Sequence, residues 1–247
     1  MDPAERRAAI VRADKRFVWH PYTPMDRYIE ATQPLVIDRA EGSLLFDADG
    51  RSYIDANASW WVSTLGHNHP RLVRALARQA ELLCHTSLAG VTHENAALLA
   101  EEMVAVAPAG LSRVFFSDDG STAVEAAIKM AAQLWRNADR PEKSRFVALD
   151  GAFHGETVGA ASLGGIEVFR RPFAGVLFEC LRAPFPGGDD AYGEVFRALE
   201  RLLRERGHEI AAVVLEPLVQ GASGMRIYPE SYLAAARRAC TESDVLL

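Results

Sequence analysis

The sequence predicts an α/β fold in which helices sandwich a mostly parallel sheet. Apolar runs long enough for buried strands alternate with segments whose apolar residues repeat at helical spacing. The predicted strands are Phe146–Leu149, Val176–Leu181 and Ala211–Leu215, and the predicted helices among them are Tyr192–Arg206 and Glu230–Cys240. Because ligands bind beyond the carboxyl ends of strands in such sheets, the strand-end loops are the expected place for a functional site.

The segment before this region has the pattern of a strand, a turn and a helix. Val114–Phe116 is apolar and strand-like, and apolar residues then repeat at helical spacing from Val124 to Trp135. Thr122 and Glu125 have the spacing of a capping box, which predicts a helix start close to them.

The turn between this strand and this helix predicts an anion site. Free backbone N–H groups and the positive end of the helix dipole would face one point at Gly120 and Ser121, where a phosphate could approach closely. An ordinary strand-to-helix turn is the alternative interpretation. The sequence contains neither G-x-x-x-x-G-K-[ST] nor G-x-G-x-x-G, so a P-loop or a Rossmann dinucleotide site is not indicated.

The first part of the chain has a different pattern. A charged helix is predicted over Pro3–Arg16, and the Asp49-Gly50 turn marks a small β meander. Its predicted strands are Leu35–Asp38, Leu44–Asp47 and Tyr53–Asp55, and the helices predicted after them are Pro70–Leu83 and Glu94–Ala107. We therefore predict an N-terminal segment, residues 1–64, followed by a large α/β domain, residues 65–247.

Two short motifs follow the meander. If Trp60 and Trp61 are extended, they point to opposite faces, so one could be core and the other a pocket wall; both being core is the alternative. His67 and His69 could be a pair of metal ligands, but a turn before a helix that begins at Pro70 is the favoured interpretation. No metal site is predicted.

Two strand-end loops carry further candidates. In the loop Gly151–Gly155, Phe153 could stack on a flat ring and His154 could support that ring, whereas a buried Phe and a structural His are the alternative. Glu216 ends a strongly apolar strand, where core packing explains a carboxylate poorly. A solvated strand-end acid is the alternative for Glu216.

Composition argues against several classes of function. The net charge of −6 and the lack of a long basic run give no support to nucleic-acid binding, and no apolar stretch is long enough for a membrane span. The three cysteines lie far apart, without the C-x-x-C spacing of a zinc site. The first 16 residues are polar and lack an apolar signal core, so the cytoplasm is the expected location.

These motifs together resemble the class III (ω-) aminotransferases of pyridoxal-phosphate fold type I, along nearly the whole chain. The matching pieces are Ser117–Glu125, Ala152–Gly155 and Leu215–Pro217. A narrower similarity points to the branch of this family that works in biotin synthesis. Its pieces are His20–Thr23, Ser59–Trp61, Gly66–Pro70 and Val219–Met225.

The resemblance implies roles for the cofactor residues, with pyridoxal 5'-phosphate as the cofactor. Gly120 and Ser121 would bind its phosphate, and Phe153 would stack on its ring and flank the substrate. Enzymes of this branch usually have tyrosine where this chain has Phe153. Glu216 would lie near the ring, and His154 would be a supporting residue of the loop Gly151–Gly155 (the ring loop).

The resemblance also implies the substrates. Tyr22, Trp60 and Trp61 would shape a pocket for S-adenosylmethionine, the amino donor, and 8-amino-7-oxononanoate, the acceptor, in a homodimer. An ω-amino acid–pyruvate or diamine aminotransferase is a second interpretation, for which Phe153 leaves room. A noncatalytic module that binds a phosphate ligand is a third.

The chemistry of this family needs a lysine that forms a Schiff base with the cofactor. The sequence contains three lysines, each in a helix or loop segment of polar sequence: Lys15, Lys129 and Lys143. None of them is therefore predicted to be catalytic. Ser243–Leu247 opens a further apolar strand, so we expect an incomplete cofactor domain that is inactive alone.

Overall fold

The computed structural model describes residues 2–187 and 193–247. The helices are α1 Pro3–Phe17, α2 Met25–Ala31, α3 Ala58–Trp61, α4 Pro70–Leu82, α5 Glu94–Val106, α6 Gly120–Asn137, α7 Val158–Leu163, α8 Glu167–Arg170, α9 Glu194–Arg206 and α10 Glu230–Glu242. The strands are β1 Ile37–Glu41, β2 Leu44–Asp47, β3 Ser52–Ile54, β4 Arg145–Leu149, β5 Leu181–Ala183, β6 Ile210–Val214, β7 Val219–Gln220 and β8 Arg226–Ile227. The predicted helix start at Tyr192 lies outside the described residues.

The chain divides into two compact units, Met1–Glu102 and Met103–Leu247. This structural division does not coincide with the boundary predicted between residues 64 and 65. The functional division at that boundary stays a prediction.

The first unit contains the predicted β meander, an antiparallel sheet in the order β1-β2-β3. Asp47 holds the turn between β2 and β3, because its carboxylate accepts from the backbone N–H groups of Asp49 and Arg51 and from the hydroxyl of Tyr53. β1 begins at Ile37, two residues later than predicted, since pairing with β2 starts there.

The second unit contains the predicted parallel sheet, in the order β5-β4-β6, so the predicted α/β fold is confirmed. Side chains of β4 alternate between two apolar clusters, as the period of a strand requires. Val147 and Leu149 pack in the cluster that contains residues of α9 and α10. Phe146 and Ala148 pack in the cluster that contains residues of α6 and α7.

Two strand predictions in this unit are wrong, and a third is confirmed only at one residue. Val114–Phe116 has no strand partner in residues 2–187 and 193–247, and Phe115 is 65% exposed. The strand predicted over Val176–Leu181 is replaced by a strand over Leu181–Ala183, which shares only Leu181 with the prediction, because pairing with β4 starts there. In the predicted strand Ser243–Leu247, only a bridge from Leu246 to Ala212 of β6 forms.

No helix within the described part of the chain is long and apolar enough to cross a membrane.

Candidate functional site

The turn that is predicted to bind phosphate, residues 117–121 (the phosphate turn), leads into the start of α6. Asp119 is the N-cap: its carboxylate accepts from Thr122 N at 2.8 Å, and the Thr122 hydroxyl accepts from Asp119 N at 3.0 Å. The capping box predicted from Thr122 and Glu125 is therefore wrong, and the helix begins earlier, at Gly120. The sequence spacing does not distinguish the two possibilities, because Thr122 can be the third helical residue of one capping box or the N-cap of another.

Glu125 has a different task. Its Oε1 accepts from Gly159 N at 2.6 Å and from Ala160 N at 3.3 Å, so it binds backbone donors at the start of α7. A Cβ on Gly159 would collide with this carboxylate, which explains the glycine there. Glu125 thereby ties α7 to α6.

Gly120 and Ser121 leave donors available at the start of α6. Within the described residues, their backbone N–H groups bind no acceptor, as expected for the first turn of a helix. Ser121 Oγ accepts from Glu156 N at 3.1 Å, which leaves its own proton free to donate. Gly155, at φ +131°, brings the loop after β4 so close that a Cβ there would collide with Ser121.

Glu216 joins two strand-end loops. Its Oε1 accepts from Phe153 N at 2.9 Å and its Oε2 from Gly221 N at 3.0 Å. The hydroxyl of Tyr228 donates to the Glu216 carbonyl at 2.6 Å. Both carboxylate oxygens thus hold backbone, so in this structure Glu216 acts by positioning the Phe153 loop. Its predicted place near a cofactor ring stays a prediction.

Phe153 and His154 point to different surroundings. The half-buried Phe153 ring meets Phe169 edge-on, with 5.9 Å between ring centroids. His154 Nε2 is buried and has no hydrogen-bond partner in the described part of the chain. Burial, and then the nearby Arg182 guanidinium, lower the pKa of His154 to about 4. His154 is therefore a neutral imidazole at pH 7.

The predicted polar setting of all three lysines is wrong for Lys143. Its side chain is 1% exposed, its Nζ donates to Gly207 O at 2.7 Å, and it lies over the Trp135 ring. Burial lowers its pKa. Lys143 nevertheless precedes β4, whereas the site loops follow that strand, and five strand residues separate the two ends by roughly 16 Å. Burial alone does not place its amine at the site.

Three of the four predicted substrate residues, Tyr22, Trp60 and Trp61, lie in the first unit. The two tryptophans are not extended, so the condition for their pointing to opposite faces is not met. Ala58–Trp61 form a left-handed turn, with φ of 50° to 67°. Trp60 and Trp61 are 65% and 59% exposed, so neither belongs to a core. The Trp60 ring meets Tyr22 edge-on, with 5.5 Å between centroids. The structure therefore brings together Tyr22 and Trp60, two of the four predicted substrate residues.

The sequence reasoning missed Asp55, which supports this turn. Its carboxylate accepts from the backbone and hydroxyl of Ser59 and from His67 Nε2. These bonds, led by the one from the Ser59 hydroxyl, lower the pKa of Asp55 to about 2. The i, i+4 spacing of Asp55 and Ser59 was the available signal.

His69 caps α4, which begins at Pro70 as predicted.

The family model for class III aminotransferases matches residues 28–247. The chain belongs to the class III aminotransferases.

Several members of this family are close to the chain in sequence. Adenosylmethionine-8-amino-7-oxononanoate aminotransferase of Geobacter sulfurreducens is 42% identical over 244 residues, which are 95% of this chain and 54% of that protein. The protein with the same name in Synechococcus elongatus is 44% identical over 223 residues, 87% of this chain and 51% of that protein. The chain spans about half the length of the curated relatives it matches.

Solved structures of class III aminotransferases agree with the fold. The adenosylmethionine-8-amino-7-oxononanoate aminotransferase of Methanocaldococcus jannaschii superposes with a TM-score of 0.91 at 36% identity, covering 97% of this chain and 54% of that one. The omega transaminase of Pseudomonas jessenii in complex with PMP gives 0.87 at 30% identity, covering 96% and 55%. Class III aminotransferases depend on pyridoxal phosphate.

The described residues fit one part of this cofactor. Two backbone N–H groups and a hydroxyl without an acceptor at the start of an 18-residue helix are the donor set that a phosphate dianion needs. The absence of a lysine that bonds the cofactor covalently stays a prediction, which the distance of Lys143 from the site loops supports. Among the described residues, no group of three His, Cys, Asp or Glu could hold a metal ion.

We predict that Ser121→Asp weakens binding of pyridoxal phosphate to the 247-residue chain by about tenfold or more, because a carboxylate would face the phosphate. Equilibrium dialysis measures the affinity. Ser112→Asp adds the same charge on an exposed loop and should leave the affinity unchanged. Equal affinities for the Ser121→Asp chain and the unmodified chain would remove the phosphate assignment.

A second prediction concerns pH. The folded chain holds His154 neutral down to about pH 4, whereas the unfolded chain protonates this residue near pH 6.5. The free energy of unfolding should therefore fall between pH 6.5 and 4, by about 3 kcal/mol from this residue. His154→Gln should remove that part of the slope in denaturant titrations. His85→Gln, at an exposed site, should retain it, and an unchanged slope in His154→Gln would contradict the prediction.

Proposed function

We propose that the chain supplies the phosphate turn, the ring loop and the aromatic substrate residues of an enzyme that transfers an amino group from S-adenosylmethionine to 8-amino-7-oxononanoate, giving 7,8-diaminononanoate. The observation that carries the proposal is the identity of 42% over 95% of the chain with a relative of that name. Relatives in Staphylococcus aureus and Aquifex aeolicus share the name at 38% and 40% identity.

The residues of this chain would divide the work between cofactor and substrate. Pyridoxal phosphate, when bound, supplies an electron sink for the substrate. Gly120 and Ser121 would hold its phosphate by hydrogen bonds and by the helix dipole. Phe153 would cover the ring, in a loop whose backbone Glu216 fixes. His154 would support that loop as a neutral imidazole.

Substrate recognition would rest on aromatic side chains. Tyr22 and Trp60, which meet edge-on, offer an apolar surface that suits the aliphatic chain of the oxo-acid. Trp61, which is also exposed, would lie beside them. Phe153 would flank the substrate in the ring loop. An aliphatic acceptor would then be held by shape and apolar contact more than by charge.

A second candidate is an ω-amino acid–pyruvate or diamine aminotransferase. Two observations favour it: the omega transaminase fold matches with a TM-score of 0.87, and Phe153 lacks the hydroxyl usual in the biotin branch. A noncatalytic phosphate-ligand module is the third candidate. It draws support from Lys143, whose buried amine donates to Gly207 at the end of β4 away from the site loops.

We also propose that the protein forms a homodimer, lies in the cytoplasm and acts on small molecules. A homodimer is supported by the apolar side chains that α4 exposes, Leu72, Val73 and Leu76, which another polypeptide could cover. A cytoplasmic location is supported by Cys84, Cys180 and Cys240, all free thiols. The substrates are small molecules, and the negative charge gives no reason to include nucleic acid.

A chimaera tests the function. In it, this chain replaces the matching 54% of the Geobacter sulfurreducens relative. We expect amino transfer from S-adenosylmethionine to 8-amino-7-oxononanoate, measured by mass spectrometry of the diamine, and none from β-alanine to pyruvate. The unmodified relative is the control. Transfer with β-alanine and pyruvate alone would support the second candidate, and cofactor binding without any transfer would support the third.

A further inference from the structure

The turn α3 has a backbone conformation that its side chains disfavour. Ala58, Ser59, Trp60 and Trp61 have φ of 50°, 50°, 60° and 67°, and ψ is 55° at Ser59 and 47° at Trp60. These are the angles of a left-handed helix, in which the Cβ of every residue except glycine crowds the following carbonyl oxygen. Trp61 N donates to Asn57 O at 2.8 Å, which closes one left-handed turn.

Four successive non-glycine residues need outside support to stay in this region. Asp55 gives it from a side chain that is only 7% exposed. One of its oxygens accepts from Ser59 N at 3.0 Å, and the other accepts from Ser59 Oγ at 2.7 Å and His67 Nε2 at 2.8 Å. His67 is in turn fixed by two backbone hydrogen bonds with Gly42 of the adjoining meander.

The turn determines where the Trp60 ring lies. Its backbone angles direct the indole toward Tyr22, which itself has a φ of 52°. The resulting edge contact joins two exposed aromatic residues, so no surrounding core fixes the Trp60 ring. If the turn relaxed to a right-handed or extended backbone, the direction of the Trp60 side chain would change and this contact would be lost.

We propose that Asp55 is a positioning residue, which holds the left-handed turn through Ser59 and His67 and thereby sets the contact between Trp60 and Tyr22. The proposal deepens the proposed function, because it rests on that function in treating the two rings as a substrate surface. The hydrogen-bond network itself requires no cofactor or substrate. Failure of the positioning role can therefore be separated from failure of the enzymatic assignment.

The test uses the 247-residue chain labelled with 5-fluorotryptophan. Its four ¹⁹F resonances are assigned by Trp→Phe variants at Trp19, Trp60 and Trp61, which leaves Trp135. Tyr22→Leu defines the Trp60 resonance without the edge contact. In Asp55→Ala, we expect the Trp60 resonance to move at least half-way to that position, while Trp135 in the second unit stays unchanged.

Asp47→Ala is the matched control. Asp47 lies in the same unit, is 6% exposed and accepts three hydrogen bonds, but it holds the β2–β3 turn. Its loss should leave the Trp60 resonance in place. If Asp55→Ala does not fold, Ser59→Ala removes only the hydroxyl bond, and a smaller shift of Trp60 in the same direction is expected.

A rescue separates backbone positioning from general support. Ala58→Gly introduces the residue that adopts positive φ without crowding and touches none of the Asp55 bonds. Added to Asp55→Ala, it should return the Trp60 resonance toward its original position. An unmoved Trp60 resonance in both Asp55→Ala and Ser59→Ala, an equal shift in Asp47→Ala, or no return with Ala58→Gly would each overturn the proposal.

Discussion

Side-chain acceptors that bind loop backbone are the constraint on which the second unit depends. Parallel strands end at one edge of a sheet, so the loops there carry N–H groups that no strand satisfies. Glu216 accepts from the loops at Phe153 and Gly221. Ser121 accepts from the loop after β4, and Glu125 accepts from the start of α7. These acceptors fix the loops before any ligand arrives, while the first N–H groups of α6 stay available.

Much of the fold could be predicted because its signals are local. The alternation of apolar runs with helical spacing gave the α/β class, and the predicted β2–β3 turn at Asp49-Gly50 forms as expected. The strand predicted at Val114–Phe116 fails for a different reason. A strand exists only when a neighbour pairs with it, and apolar composition says nothing about the neighbour. The same limit explains the shift of β5 to Leu181–Ala183.

The site shows which features sequence cannot give. Lys143 stands in a polar run, yet it is buried, and its amine is satisfied by the carbonyl of Gly207, 64 residues later. The left-handed turn at Ser59 and Trp60 contains no glycine that would indicate it. The i, i+4 spacing of Asp55 and Ser59 is a weak signal, because Asp55 is itself held by His67, which the sequence pattern does not place beside it. The available N–H groups of Gly120 and Ser121 could be predicted because a glycine turn before a helix has local chemistry of its own, and their binding of phosphate stays a prediction.

The donors at the start of α6 should bind the phosphate of pyridoxal phosphate. Titration of the ¹⁵N-labelled 247-residue chain with pyridoxal phosphate, followed by backbone amide resonances, measures this binding. We predict saturable shifts of the Gly120 and Ser121 amides, which inorganic phosphate reverses by competition. Unmoved amides at these two residues, with saturable shifts confined to other parts of the chain, would contradict it.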